Sequence, residues 1–473
     1  MKTAIRIAAI FTATSLNAAT IDQVLVRQQW PWSTEVKVEY RIMDVTDPVD
    51  ISVAAYDGDT PLDSSRLAAS MKGNLFGIAK NGYFSFTIDP IKAFGKGEIA
   101  VMNFNVRLTT TPSAANMTDV LYKVVDLDSG DVTDITRADF YGGKYGSFET
   151  NYTAVGAGFT TSLQDVLVWT EVTNNPIYKT DKLVLRKIPA ASWGEWSMFA
   201  GSNGNSDPNS LNSSECLVRL TSDYYIGVFP ITQAQHKKIW EMPGRAYVSG
   251  EYGAYCTNAA EFADHLYKPA TGIQWHKLRG GSGAYDAISG DPQSGSVVGL
   301  LRAKTRNVLA FDLPTEAQWE FAARGGAMDG SSVLYSGKEW ANANIYELAW
   351  TSYNIDTAGY DAGLEQNVAV GRKLPNAYGL YDMLGNVCEF CRDYSDDNPC
   401  SYEETPKANP MGSVDRSHAA TGNGSASGYV KHIARGGSFD LPPSRSSLRS
   451  RQSRHENLQG KGLGFRVVCT VVE

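Results

Sequence analysis

Residues 381 to 391 read YDMLGNVCEFC, and this short segment holds two sets of side chains that could do chemistry. Cys388 and Cys391 have the spacing of a redox or metal-binding thiol pair. Asp382 and Glu389, joined through a Gly385-Asn386 turn that can present carbonyls, offer two carboxylates to a hard cation. A structural zinc site asks for four ligands, and the sequence has no second C-x-x-C and no H-x-x-x-H to complete one. A thioredoxin-like pair opens a helix after a strand, whereas this one follows a Gly-Asn loop. Structural disulfides, with Cys400 or Cys469 as partners, are the plainer expectation for these thiols.

Elsewhere the chemical signals are thinner. Arg445, Arg449, Arg451 and Arg454 recur among polar residues and could line an anion-binding groove, or could form a solvated strand face or buried ion pairs that tie loops together. The histidines, His236, His265, His276, His418, His432 and His455, are scattered without the spacing of a metal triad, and no G-x-S-x-G marks a serine nucleophile. A net charge of -8 argues against a nucleic-acid partner.

These groups need a scaffold. At 473 residues the chain exceeds one ordinary core, so more than one domain is expected. It starts MKTAIRIAAIFTATSLNAAT, where Lys2 and Arg6 precede an apolar run from Ile7 to Leu16 and small residues at Ala18 and Ala19, the order of a secretory signal over residues 1–19. No later window holds the ~18 apolar residues of a membrane span, so the expectation is a periplasmic or secreted chain without one. Residues 20–112 alternate in strand-like runs, Val36 to Ile42, Val49 to Tyr56, Tyr83 to Ile88 and Ile99 to Leu108, and predict an all-β, immunoglobulin-like sandwich. Residues 113–187 read as a connector and 188–473 as a further domain. There, Thr315 and Gln318 form a capping box and Gly325 a stop around one helix, and Thr232 caps a second that runs to Trp240. Arg279 to Val298, rich in Gly, Ser and Asp, reads as an inserted loop.

Five motifs follow one another in this last region: YYIGVFPITQAQ (Tyr224 to Gln235), FDLPTEAQWEFAARGG (Phe311 to Gly326), LPNAYGLYDMLGNVCEF (Leu374 to Phe390), ARGGSF (Ala434 to Phe439) and GLGFRVV (Gly462 to Val468). In this order they resemble the sulfatase-modifying-factor family, also called the formylglycine-generating-enzyme domain. The resemblance implies an α+β, C-type-lectin-like fold with little regular secondary structure, two helices and loops held partly by calcium. Matched motif to motif, the family's calcium ligands fall on Asp382, Gly385, Val387 and Glu389, with another calcium site near Asn344 and Ile345. Its enzymes oxidise a cysteine of a target sulfatase to formylglycine, using oxygen and copper held by two cysteines, and two thiolates suit Cu(I). Those cysteines fall at about Leu441 and Ser446 here, the active-site tryptophan falls at Cys388, and Ser438 keeps the place of the active-site serine. The resemblance thus implies calcium, while the departures argue against copper and leave two readings. Either Cys388 and Cys391 supply a relocated copper site, or the domain has lost the oxidase chemistry and binds an exported protein, peptide or glycan. The second is favoured, since relocation needs both sulfurs in one pocket.

Overall fold

A computed structural model describes residues 19–28, 35–62, 67, 70–90, 93, 103–113, 117–141, 143–145, 148–155, 162–189, 195–200, 214–241, 265–280, 290–325, 333–334, 338–339, 342–355, 367–395, 407–409, 430–448 and 450–471. The expected signal segment, except Ala19, lies outside them, as does Arg449. The chain divides into two units, one drawn from residues 1–121, 135–154 and 161–171, the other from 122–134, 155–160 and 172–473.

In the first unit the β-branched and aromatic runs alternate as a half-buried strand must. Val36–Met43 buries Val36, Val38, Tyr40 and Ile42 and turns its polar residues outward. It pairs antiparallel with Thr20–Gln28 on one side and Gly82–Ile88 on the other, and Met71–Gly73 completes a four-stranded sheet. A second sheet is built from Thr60–Pro61, Val49–Asp57 and Phe104–Pro112. Ile21, Tyr40, Ile42 and Phe86 from the first sheet share one apolar core with Ile51, Ala55 and Val106 from the second.

The second unit does not begin where the sequence reading placed it. Val120–Asp126, Val132–Thr136 and Lys182–Ile188 were assigned to a connector, yet they form half of a six-stranded sheet. Its order runs Leu309–Asp312, Val468–Val471, Tyr224–Gly227, Lys182–Ile188, Val120–Asp126, Val132–Thr136. The physical reason is burial: Leu183, Val184 and Leu185 are all fully buried, which a surface connector would not tolerate. A four-stranded sheet follows, ordered Arg451–His455, Lys431–Arg435, Cys388–Tyr394, Leu463–Gly464, with the last pair parallel and the others antiparallel.

Both expected helices form with reciprocal caps. Thr315 Oγ1 accepts from the Gln318 amide at 3.2 Å while Gln318 Oε1 accepts from the Thr315 amide at 3.0 Å, opening Glu316–Ala323. Gly325, at φ +62, ends that turn. Thr232 and Gln235 repeat the arrangement ahead of Gln233–Trp240. Removing the Thr315 hydroxyl by Thr315→Ala is expected to cost about 1 kcal/mol, measured as a shift of the denaturant midpoint. The inserted-loop reading of Arg279 to Val298 needs correction, because Val297 opens a helix, Val297–Lys304, capped by Ser296. A glycine inside it masked the pattern. Gly299 is required there, since a Cβ would fall 2.0 Å from the Gln293 carbonyl oxygen.

Candidate functional site

The site is organised by three buried arginines. Arg466, fully buried, reaches across to Glu389 with Nε at 2.6 Å and Nη2 at 2.7 Å from its two carboxylate oxygens. Its remaining donors go to the carbonyls of Gly227 at 2.8 Å and Tyr381 at 2.9 Å. Trp319 of the Glu316–Ala323 helix adds an indole N–H to Glu389 at 2.7 Å. Arg435 ties the same helix to the four-stranded sheet through Glu320, and Arg451 holds Glu316 at 2.9 and 3.1 Å. In a low-dielectric interior such paired, hydrogen-bonded charges are stable, whereas either partner alone is not.

The same pairs surround the Asp382 to Glu389 segment. Asp382 is buried at φ +53, its carboxylate held by the Gly371 amide at 2.7 Å and the Asn386 side chain at 3.3 Å. Burial raises its pKa, opposed by the Gly371 N–H. Gly385 also sits at positive φ, +69, and a Cβ there would fall 2.2 Å from the Trp350 carbonyl oxygen. Val387 is fully buried beside them. Glu389 faces Arg466 and Trp319, whose N–H groups meet both of its carboxylate oxygens. Near the other expected calcium position, the Ile345 carbonyl accepts from the Ala349 amide at 2.8 Å at the end of a helix, Asn342–Leu348. Among the described residues no group of three or more His, Cys, Asp and Glu side chains could hold a metal.

The thiols of this segment do not pair. Cys388, Cys391 and Cys469 are free and buried, so no disulfide joins them, and Cys400, the other expected partner, lies outside the described residues. Cys388 and Cys391 stand three positions apart on the Cys388–Tyr394 strand, and their surroundings differ. Cys388 lies against the Ser438 hydroxyl and the Arg454 guanidinium, with Asp440 nearby; burial pushes its pKa up and these two donors oppose the rise. Cys391 lies among Asp393, Glu316 and Arg435, and burial with those acids pushes its pKa far up. Cys469 sits on the other sheet near Lys123.

The arginine groove also changes. Arg451 is buried in its pair with Glu316 and faces no groove, and Arg445 is half-buried in a short turn, Pro443–Arg445. What does converge is a polar cluster around Ser438. Its hydroxyl donates to Asp440 at 2.5 Å, and Gly462 leaves room for the pair, because a Cβ there would fall 2.6 Å from Asp440 Oδ1. Arg454 also donates to Gln452 Oε1. Ser446, at one of the two positions where the resembled enzymes keep copper-binding cysteines, is fully buried. Its Oγ would lie 2.3 Å from a Cβ on Gly437, at φ +74. Sequence reasoning found Ser438 but missed Gln452 and Asp440; the alternation of Gln452 and Arg454 on Arg451–His455 was the available signal.

A mixed α and β domain stitched by buried arginine–carboxylate pairs, with the RGGS turn presenting Ser438 beside the Gly462 loop, defines the class. The family model for the sulfatase-modifying factor enzyme 1-like domain matches residues 197–471, and the chain belongs to that family. It is 27% identical over 265 residues to a formylglycine-generating enzyme of Streptomyces coelicolor, covering 51% of this chain and 77% of that one. It is 25% identical over 228 residues to the formylglycine-generating enzyme of Mus musculus, covering 40% of this chain and 55% of the relative. Among solved structures, PvdO from Pseudomonas aeruginosa aligns over 61% of this chain and 94% of its own at 19% identity, with a TM-score of 0.42.

Proposed function

We propose that this chain is an exported protein whose sulfatase-modifying-factor domain keeps the scaffold, has lost the copper oxidase chemistry, and serves as a binding module. The observation that carries the reading is the pair of positions at which the resembled enzymes place their copper thiolates. Leu441 and Ser446 stand there, and neither side chain can bind Cu(I) as a thiolate does. Relocation to the C-x-x-C pair finds no support, since Cys388 contacts Ser438 and Arg454 while Cys391 sits among Asp393, Glu316 and Arg435. Asp440, exposed, and Arg454, half-exposed, instead offer polar groups at the surface beside the buried Ser438, suited to a peptide, a glycan or an anion. Export rests on the order of charge, apolar run and small residues over residues 1–19. No described helix is long and apolar enough to cross a membrane.

A Cu(I) titration of the full chain, run with oxygen consumption on a cysteine-bearing sulfatase peptide, tests this reading. The expected result is no two-thiolate uptake and no oxygen consumed. Tight uptake with conversion of the peptide cysteine would overturn it.

A further inference from the structure

A cavity of about 480 Å³ opens in the second unit, and none of its lining residues belongs to the Ser438 cluster. Its size is that of a small-molecule pocket. The charged part of the lining comes from the helix Gln233–Trp240 and its end (Lys237, Lys238, Glu241), the end of the helix Val297–Lys304 (Lys304), and two turns (Asp128, Asp181). Its acids are committed. Lys238 lies 2.6 Å from each Asp128 oxygen and 2.9 Å from Asp181, which uses the three hydrogens of its ammonium. The other Asp181 oxygen accepts from the Thr180 hydroxyl at 3.0 Å, and Glu241 stands 3.8 Å from Lys237.

Lys304 is the lining cation left over, since among the described residues its ammonium has no ion pair and no hydrogen bond. It is nevertheless held in place. Gly130, at φ +77, packs on it so closely that a Cβ there would fall 1.9 Å from the Lys304 carbonyl oxygen and 3.6 Å from its Cγ. The two half-buried lysines of the cavity are thereby driven apart in protonation. Burial works against the charge of Lys238, but Asp128 and Asp181 outweigh it and raise the pKa. Burial lowers the pKa of Lys304, opposed by Asp128 and reinforced by the Lys238 ammonium. An amine that is desolvated and set beside another cation is the nucleophilic kind.

We infer that Lys304 is a nucleophilic amine that captures a small polar carbonyl compound in this cavity as an imine. The Nζ lone pair adds to the carbonyl carbon, the nitrogen gives up its two hydrogens, and the oxygen gains two and leaves as water when the C=N bond forms. Nothing is oxidised or reduced. The ionic lining suits a compound with hydroxyl groups, such as a hydroxyaldehyde, because carboxylates accept from hydroxyls. This site goes beyond the binding-module reading and does not depend on it.

The test treats the full chain with glycolaldehyde and cyanoborohydride near neutral pH, so that an imine is trapped as a stable secondary amine, and follows each lysine by peptide mass spectrometry. Lys304 is expected to react about fivefold faster than Lys237, although Lys237 is exposed and Lys304 half-buried. Its rate is expected to level off as glycolaldehyde rises, as filling of a cavity requires. Lys238→Met releases Asp128 and Asp181 to pair with Lys304 and removes the neighbouring cation, so the Lys304 rate should fall about fivefold while that of Lys37, in the first unit, stays unchanged. The wild-type comparison stands by itself should Lys238→Met fail to fold. Rates that follow exposure, a Lys304 rate that rises linearly without levelling off, or one unmoved by Lys238→Met would each overturn the inference.

Discussion

Arg466→Met is expected to lower the stability of the second unit by about 3–5 kcal/mol, the cost of leaving a buried carboxylate without its partner. Glu389 would keep only the Trp319 indole, and the carbonyls of Gly227 and Tyr381 would lose their donors as well. Pairing the substitution with Glu389→Gln should recover part of the loss, because no bare charge then remains in the interior. Denaturant unfolding of the two variants and their combination measures the coupling. The same experiment decides how the loop around Asp382 is closed. A calcium chelator is expected to leave the unfolding midpoint of the wild type nearly unchanged, since Arg466 and Trp319 already meet both Glu389 oxygens. A large drop on chelation, with little effect of Arg466→Met, would show that calcium closes the loop.

Acid should act through His236. The imidazole is fully buried beside Trp240 and Phe465, with no hydrogen-bond partner on either ring nitrogen among the described residues. Burial depresses its pKa from 6.5 to about 4. Above pH 6.5 the ring is neutral in both the folded and the unfolded chain, so it adds no pH dependence there. Between pH 6.5 and 4 the unfolded chain takes up a proton that the folded one refuses, so stability falls by about 3 kcal/mol across that window. Asp393 runs the other way. Burial, with Glu316 adding, raises its pKa from 3.8 to about 7, so its contribution is full in acid and lost as pH climbs through that range. The two slopes offset in the wild type. His236→Leu should therefore make the protein gain stability toward pH 4, whereas Asp393→Asn should steepen its acid loss. Midpoints taken at half-unit pH steps would sink this account if the two variants gave parallel profiles.

The parts of this molecule that can be read from the sequence are those determined within a few residues. Thr315 with Gln318, and Thr232 with Gln235, form their boxes three residues apart, and Val36 to Ile42 alternates over a single strand. What could not be read depends on partners far along the chain. Leu183, Val184 and Leu185 look like a connector until Tyr224–Gly227 and Val120–Asp126 flank them. Glu389 looks like a cation ligand until Arg466, in a motif already noticed for its family resemblance, folds onto it. Cys388 and Cys391 look like one pair because their spacing does not say that they lie on a strand, where positions three apart face opposite sides. Ser438 was found through its motif, but the groups around it arrive from the Arg451–His455 strand and the Gly462 loop, and only the fold gathers them.

The strand Val468–Val471 lies inside its sheet, with Tyr224–Gly227 on one side and Leu309–Asp312 on the other. Of the six strands in that sheet it is the one a ribosome makes after all the others. Until it is released, Tyr224–Gly227 and Leu309–Asp312 each wait with an open edge, and Arg466, two residues ahead of it, cannot reach Glu389. The sheet of the second unit can then close only once Val471 has left the ribosome, and a nascent chain halted before Val468 would hold sticky edges for a chaperone to guard.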